Sequence, residues 1–262
     1  MKKVVSRAYV ILIAIFLYLP IATLIILSFN KSKSMSVWTG FTFDWYSEMI
    51  HDRLMMNAIL NTFSIALISA LIATIIGTMA CIGMKNMTKR VQNLLLGFNN
   101  IPLLNADIVT GISLMLSFLA FGISLGYTTI LISHITFSIP YVILSVRPRM
   151  NKKTEGLYEA ALDLGASHSY AFRKVVLPEL IPGITSGFLL SFTMSVDDFI
   201  ITYFTRGAGI NTISTRIYSE IKVGIRPSLF ALSTVVFLTA LIILLIINFK
   251  TQRGGEREIE IF

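Results

Sequence analysis

Apolar residues in this chain come in long unbroken runs, not at the alternating or 3.6-residue spacing of half-buried elements. A hydrocarbon layer of ~30 Å needs about 20 apolar residues in helical form to cross it. Six stretches reach that length: Ala8–Phe29, Ala58–Met84, Leu94–Phe121, Gly126–Val146, Ile184–Phe204 and Leu229–Ile247. The third is the most interrupted, with Asn99, Asn100, Pro102, Asn105 and Asp107 in its first half. The fourth follows a Gly-rich turn and contains His134 and Pro140. The pattern predicts an all-α integral membrane protein with six transmembrane helices. Lys2, Lys3 and Arg7 before the first run resemble the start of a secretory leader. That run is longer than a leader core and ends in Leu27-Ser28-Phe29-Asn30, with no small-x-small cleavage site, so it is read as a retained helix. No internal repeat or low-complexity segment is visible.

Composition agrees. Hydrophobic residues are 55% of the 262 and charged residues 14%, and the mean hydropathy is +0.76. A soluble domain carries about a quarter charged residues, so this chain lacks the charge to cover a water-facing surface. The net charge of +8 would suit a nucleic-acid partner, but its placement argues against one. Lys and Arg sit in short loops between apolar runs, where they orient a membrane protein. With the N-terminus inside, fifteen of the 22 Lys and Arg fall on the cytoplasmic side, which predicts that both termini are cytoplasmic. The first outer loop carries Trp38, Trp45 and Tyr46, residues suited to the headgroup boundary. Cys81 is the single cysteine, which rules out an intrachain disulfide and a cysteine metal cluster.

The most informative segment is Arg147–Gly183, between the fourth and fifth runs. It reads as two short helices. In the first, Glu155, Glu159 and Asp163 form an acidic stripe, and Leu157, Ala161 and Leu164 an apolar one. Gly165 can take the left-handed conformation that closes a helix, and Ser167 is placed to cap the next, which carries Tyr170, Phe172, Arg173 and Lys174. Pro178 and Pro182 are expected to end that element before the fifth span. Apolar side chains such as Tyr170 and Phe172, on a loop with no domain of its own, call for a partner surface.

Within this segment stand Glu159-Ala160-Ala161, three residues, Gly165, nine residues, then Val175-Val176-Leu177-Pro178. That arrangement resembles the signature loop of ABC-importer permeases. The resemblance implies that Glu159, Ala160, Ala161, Gly165, Leu177 and Pro178 belong to coupling helices that dock on an ATPase subunit. Over nearly the whole chain the likeness is to spermidine/putrescine permeases. It is carried by Gly40-Phe41-Thr42, Trp45-Tyr46-Ser47, Asp107-Ile108-Val109, Ser133 to Phe137, Leu164 to Ser167, and Ser191 to Asp198. One departure is visible: Ala106 stands where that family often has Pro. The resemblance implies a type I ABC importer permease fold, a single transmembrane domain over residues 1–262 with its coupling loop at 147–183, in the bacterial inner membrane. It further implies a second permease as heterodimer partner, two ATPase subunits, an extracytoplasmic polyamine-binding protein, and a polyamine as cargo. No cofactor is expected, since ATP would bind the partner subunit.

Asp107, Asp197 and Asp198 are the acids within the predicted spans. A carboxylate at mid-bilayer costs ~2.5–3.5 kcal/mol on insertion scales, so such residues face a polar path or a partner. At ~1.5 Å per residue, Asp107 lies roughly 20 Å along its span from the cytoplasmic start, and Asp197 and Asp198 lie at similar depth. They are candidates for a translocation path that stabilises a polycation, or for inter-helix pairing. Adjacent helical residues point about 100° apart, so Asp197 and Asp198 need not share a role. His134 reads as a packing hydrogen-bonder, with Ser138 one turn on. His51, His134 and His168 lie in unrelated segments and supply neither a metal site nor a catalytic constellation, which disfavours a membrane protease or acyltransferase. Nothing matches Gly-x4-Gly-Lys-Ser/Thr, so ATP hydrolysis is not assigned to this chain. An importer for another solute and a secondary carrier are the other readings, and a carrier would have no use for the docking loop.

Overall fold

The computed structural model describes residues 2–85, 87–239 and 241–242. Among them the structure is helical, with an isolated bridge between Asn30 and Phe41. The helices are α1 (Lys2–Ser28), α2 (Asp44–His51), α3 (Arg53–Lys85), α4 (Lys89–Leu104), α5 (Asp107–Ala120) and α6 (Tyr127–Val146). After a 3₁₀ turn at Arg147–Arg149 come α7 (Lys152–Asp163), α8 (His168–Ala171), a π-helical turn at Phe172–Val176, α9 (Leu177–Asp197), α10 (Ile200–Thr205) and α11 (Ile213–Val223). A shorter apolar helix, α12, spans Pro227–Thr239.

The described residues fall into two compact units, one within 1–56 and 217–262, the other Asn57–Arg216. In the first unit no residue of α1 from Tyr9 to Leu27 is buried, as befits a surface made for lipid or another helix. The loop after α1 is organised by the buried Asn30, whose side chain donates to Val37 O (2.9 Å) and accepts from Ser32 N and Thr39 N. Trp45 Nε1 donates to Asn30 O at 2.7 Å. Trp38 is exposed, as a boundary residue should be, but Trp45 is buried and serves this loop instead.

In the second unit α6 is central. Gly77 of α3 meets one side of it, since a Cβ there would come 2.8 Å from Val142 Cβ. Gly183 and Gly187 of α9 meet it too, where a Cβ would come 2.9 Å from Ser145 O and 3.1 Å from Val142 Cα. Gly183, Gly187, Ser191 and Ser195 recur every four residues on α9, and all are buried. This small-residue stripe lets two backbones approach closely where lipid offers no hydrophobic drive for helix association. Val142, Ile143, Val146, Val176 and Leu180 form the core between them, with Ala73 and Cys81 of α3. A second close pair joins α5 to α10: Gly111 faces Phe204 and the backbone of Ile201.

Among the described residues, four helical runs are long and apolar enough to cross a membrane: Tyr9–Ser28, Arg53–Lys85, Tyr127–Arg149 and His168–Asp197. The third predicted span is not one rod. It divides into α4 and α5, bent by 107°, because the chain turns extended at Asn105 and Ala106. The fifth predicted span also differs. Its helix continues from His168 through Pro178 and Pro182, which do not end it, and breaks at Asp198. The π-helical turn widens the helix just before Pro178, and Pro178 sits in the first turn of α9, where a missing N–H is harmless. The sixth predicted span is represented by α12, and its end at Ile247 lies outside the described residues, as do Lys250, Arg253 and Arg257 of the tail.

Candidate functional site

The acidic loop folds as the capping rules require. Asn151 starts α7, its side chain accepting from Thr154 N at 3.1 Å. Gly165 ends it with φ +85°, while Gly165 N donates to Leu162 O (2.9 Å) and Ala166 N to Ala161 O (3.0 Å). Those two bonds make a Schellman close, which needs the left-handed residue that glycine supplies without steric cost. Ser167 then caps α8 through Tyr170 N.

Glu159 and Ala160 are exposed on α7, Ala161 is half-buried, and Gly165 is exposed beside them. Leu164 is 89% exposed and Tyr170 59%, so the helix close presents an apolar tip flanked by Glu159 and Asp163. Phe172, expected to share that tip, instead packs on the core beside Val176. Leu177 and Pro178 lie apart from the tip, in the first turn of α9. The acidic stripe divides as well. Glu155 pairs with Lys85 at the end of α3 (3.6 Å), and Lys85 also lies over the Tyr158 ring, 5.2 Å from its centre. Glu159 and Asp163 remain outward.

The three acids of the spans are brought to one place. Asp107, Asp197 and Asp198 line a cavity of about 290 Å³, with Thr110, Tyr141 and Met194 in its wall. Asp107 is the first residue of α5 and Asp197 the last of α9, so both stand at helix breaks. Both are exposed. The carbonyls that end α9 carry the negative end of its dipole beside Asp197, while Asp107 stands at the positive N-terminal end of α5.

Asp198 is differently engaged. Its carboxylate accepts from Ile201 N (3.2 Å), Thr202 N (2.8 Å) and Thr202 Oγ1 (2.7 Å), satisfying the first free N–H groups of α10. His134 Nε2 lies 3.4 Å from the same carboxylate and 2.9 Å from Thr202 Oγ1. His134 Nδ1 lies 2.6 Å from Ser195 Oγ, which is 3.3 Å from Ser69 Oγ. This buried chain ties α3, α6, α9 and α10 together. His134 is thus a packing hydrogen-bonder, but its partners are Ser195 and Thr202, not Ser138. Sequence reasoning missed that network, as it missed Thr110 and Tyr141. Helical spacing within one run could not have disclosed partners that lie on three different helices.

A family model described as "Binding-protein-dependent transport system inner membrane component" matches residues 73–251. The chain belongs to this family of inner-membrane transport components, and its several apolar helices make it a multi-pass membrane protein. Among its relatives is the spermidine/putrescine transport system permease protein PotC of Haemophilus influenzae, 34% identical over 95% of this chain and 97% of that protein. The putrescine transport system permease protein PotI of Escherichia coli (strain K12) is 36% identical over 84% of this chain and 81% of its own length. The fold is shared with a chain in the crystal structure of a bacterial ABC transporter involved in the import of the acidic polysaccharide alginate. That match has a TM-score of 0.72 and 16% identity, and covers 95% of each chain.

Proposed function

We propose that this chain is the membrane-spanning permease of an ATP-driven polyamine importer, with a type I importer fold of six spans and both termini cytoplasmic. It forms the path with a second permease, receives cargo from an extracytoplasmic binding protein, and is driven by two ATPase subunits that bind the ATP. Residues 1–262 are read as a single transmembrane domain with its coupling loop at 147–183, a reading supported by a family match that spans residues 73–251. The relatives named for spermidine and putrescine support the substrate class.

The observation that carries the mechanism is the meeting of Asp107 and Asp197 on one cavity at two helix breaks. A polyamine loses hydration on entering a membrane, where unpaired charge is most costly. Two exposed carboxylates and a helix C-terminus replace part of that hydration with opposite charge. A site that must also release its cargo is better served by few acids than by many. Asp198 lines the same cavity but spends its hydrogen-bonding capacity on α10, so its contribution to the path is to hold the break open. The membrane potential favours entry by ~2.3 kcal/mol per charge per 100 mV. Coupling is assigned to the tip formed by Glu159, Ala160, Ala161 and Gly165, with Leu177 and Pro178 joining the loop rigidly to α9.

The test is uptake of labelled spermidine and putrescine by cells carrying Asp197→Asn or Asp198→Asn. Asp197→Asn is expected to lower uptake with the complex intact, and Asp198→Asn to lower complex stability first. Equal wild-type uptake in both would remove the cation station, and another solute would then become the better reading. Orientation is tested by cysteines placed at the exposed Ser36 and Ser167 in a Cys81→Ala background. They should label from opposite sides of the membrane.

A further inference from the structure

A second cavity, of about 520 Å³, lies in the same unit, away from the aspartates. Lys85, Lys89, Arg147 and Lys152 line it, with Gln92, Asn151 and a single carboxylate, Glu155. Glu155 is already paired with Lys85. Among the described residues, no carboxylate pairs with Lys89, Arg147 or Lys152. The floor is apolar: Cys81, Met84 and Val176 are buried there, with Leu96 beside them.

Its position narrows the ligand. Lys85 ends the long apolar helix α3, Lys89 begins α4, and Arg147 follows directly on α6. Lys85 and Arg147 stand at the ends of membrane-length runs, the level at which phospholipid headgroups lie, and Lys89 follows Lys85 by one turn of chain. Met84 also lines a neighbouring groove of about 470 Å³ whose other walls include Ala80, Leu95, Phe98 and Ile143. A basic pocket joined by a shared wall to an apolar groove matches a molecule with an anionic head and a hydrocarbon tail. A soluble phosphate would use the first feature and leave the second without purpose. An ordinary positive-inside loop would need neither a cavity nor a groove.

We propose that this cavity binds the phosphodiester headgroup of an acidic phospholipid, with an acyl chain in the adjoining groove. Basic pockets between membrane helices recognise such headgroups by charge and hydrogen bonding. Asn151, whose Oδ1 caps α7, offers its amide N–H groups as neutral donors beside the cations, while Gln92 Nε2 is committed to Met84 O and Met87 O. The headgroup cavity shares no lining residue with the aspartate cavity, so its failure and a failure of the transport assignment are separate results.

The experiment uses the purified importer complex, delipidated and titrated with phosphatidylglycerol or phosphatidylcholine while bound lipid is counted by native mass spectrometry. Lys89→Gln with Lys152→Gln removes two lining charges. Arg90→Gln with Lys153→Gln removes two charges from their sequence neighbours, which do not line the cavity. At about one surface-charge increment per Lys, the lining pair should bind phosphatidylglycerol about 30-fold more weakly, and the neighbouring pair should match wild type. Phosphatidylcholine should bind weakly to all three. Equal losses in both pairs, or equal binding of the two lipids, would overturn the proposal. Competition by millimolar inorganic phosphate as effective as that by lipid would also overturn it, in favour of a soluble anion. As a measurement free of substitution, photoactivatable phosphatidylglycerol should label the α3–α4 segment of the wild-type complex. Labelling confined to other segments counts against the site.

Discussion

The two helix breaks of this molecule solve one problem by different means. Between α4 and α5 the chain turns through 107° with extended backbone at Asn105 and Ala106 and no side-chain cap. The residues there are exposed, and the Asp107 carboxylate has no hydrogen-bond partner among the described residues. Between α9 and α10 the break is locked by Asp198, His134, Thr202 and Ser195, all but Asp198 fully buried. The first break leaves its acid free for a ligand. The second spends one of two adjacent acids on the fold and leaves the other, Asp197, outward. A pair of neighbouring aspartates thus divides into a structural member and a candidate ligand-facing one.

The comparison is put at most risk by removing both outward acids. Asp107→Asn with Asp197→Asn should cut polyamine uptake by roughly 100-fold, about one decade per carboxylate. Complex yield and basal ATP hydrolysis should hold. Uptake at wild-type rates would end the division of roles proposed for the acids.

The next largest effect is expected on stability. Asp198→Ala leaves Ile201 N and Thr202 N without their acceptor and His134 without its carboxylate. Loss of a buried cap of this kind costs about 2 kcal/mol, to be read as a lower melting temperature of the purified complex. A melting curve that matches wild type, beside lost uptake, would move Asp198 into the cargo path with Asp197.

Away from the breaks, Gly165→Ala places a Cβ at φ +85°, which costs about 1–2 kcal/mol and falls locally on the close of α7. Stimulation of ATP hydrolysis by the loaded binding protein should weaken while insertion in the membrane persists. Full stimulation would show that the helix close is not needed for coupling.

The smallest effect separates the two breaks most cleanly. Ala106 has φ −67° and ψ 136°, and Asn105 before it is extended, so Pro fits at 106 without strain. Ala106→Pro should be neutral or stabilise by about 0.4–1 kcal/mol, with uptake unchanged. Phe199→Pro at the other break meets φ −114°, far from the proline value, and should destabilise. If both behave alike, the breaks are equivalent and the contrast drawn above fails.

Much of this was legible in the chain. Apolar runs of membrane length foretold the membrane class, because a hydrocarbon layer admits only segments that satisfy their own backbone hydrogen bonds. Gly165 and Ser167 foretold the two short helices of the acidic loop, because capping is decided by residues adjacent in sequence; the Asn151 cap of α7 was local too but went unread. Mid-span acids marked the cavity, since burying carboxylates without purpose is costly. What sequence did not decide was every relation between segments. Continuity through Pro178 rests on a π-helical turn placed just before it, and Pro182 is carried inside α9. The bend at Asn105 turned one expected rod into two helices. The different employment of Asp197 and Asp198 depends on His134, 63 and 64 residues earlier in the chain. Local spacing fixes which way a side chain leaves its own helix, but a partner on another helix is chosen by packing, and here that packing runs through the small-residue stripe of α9 against α6.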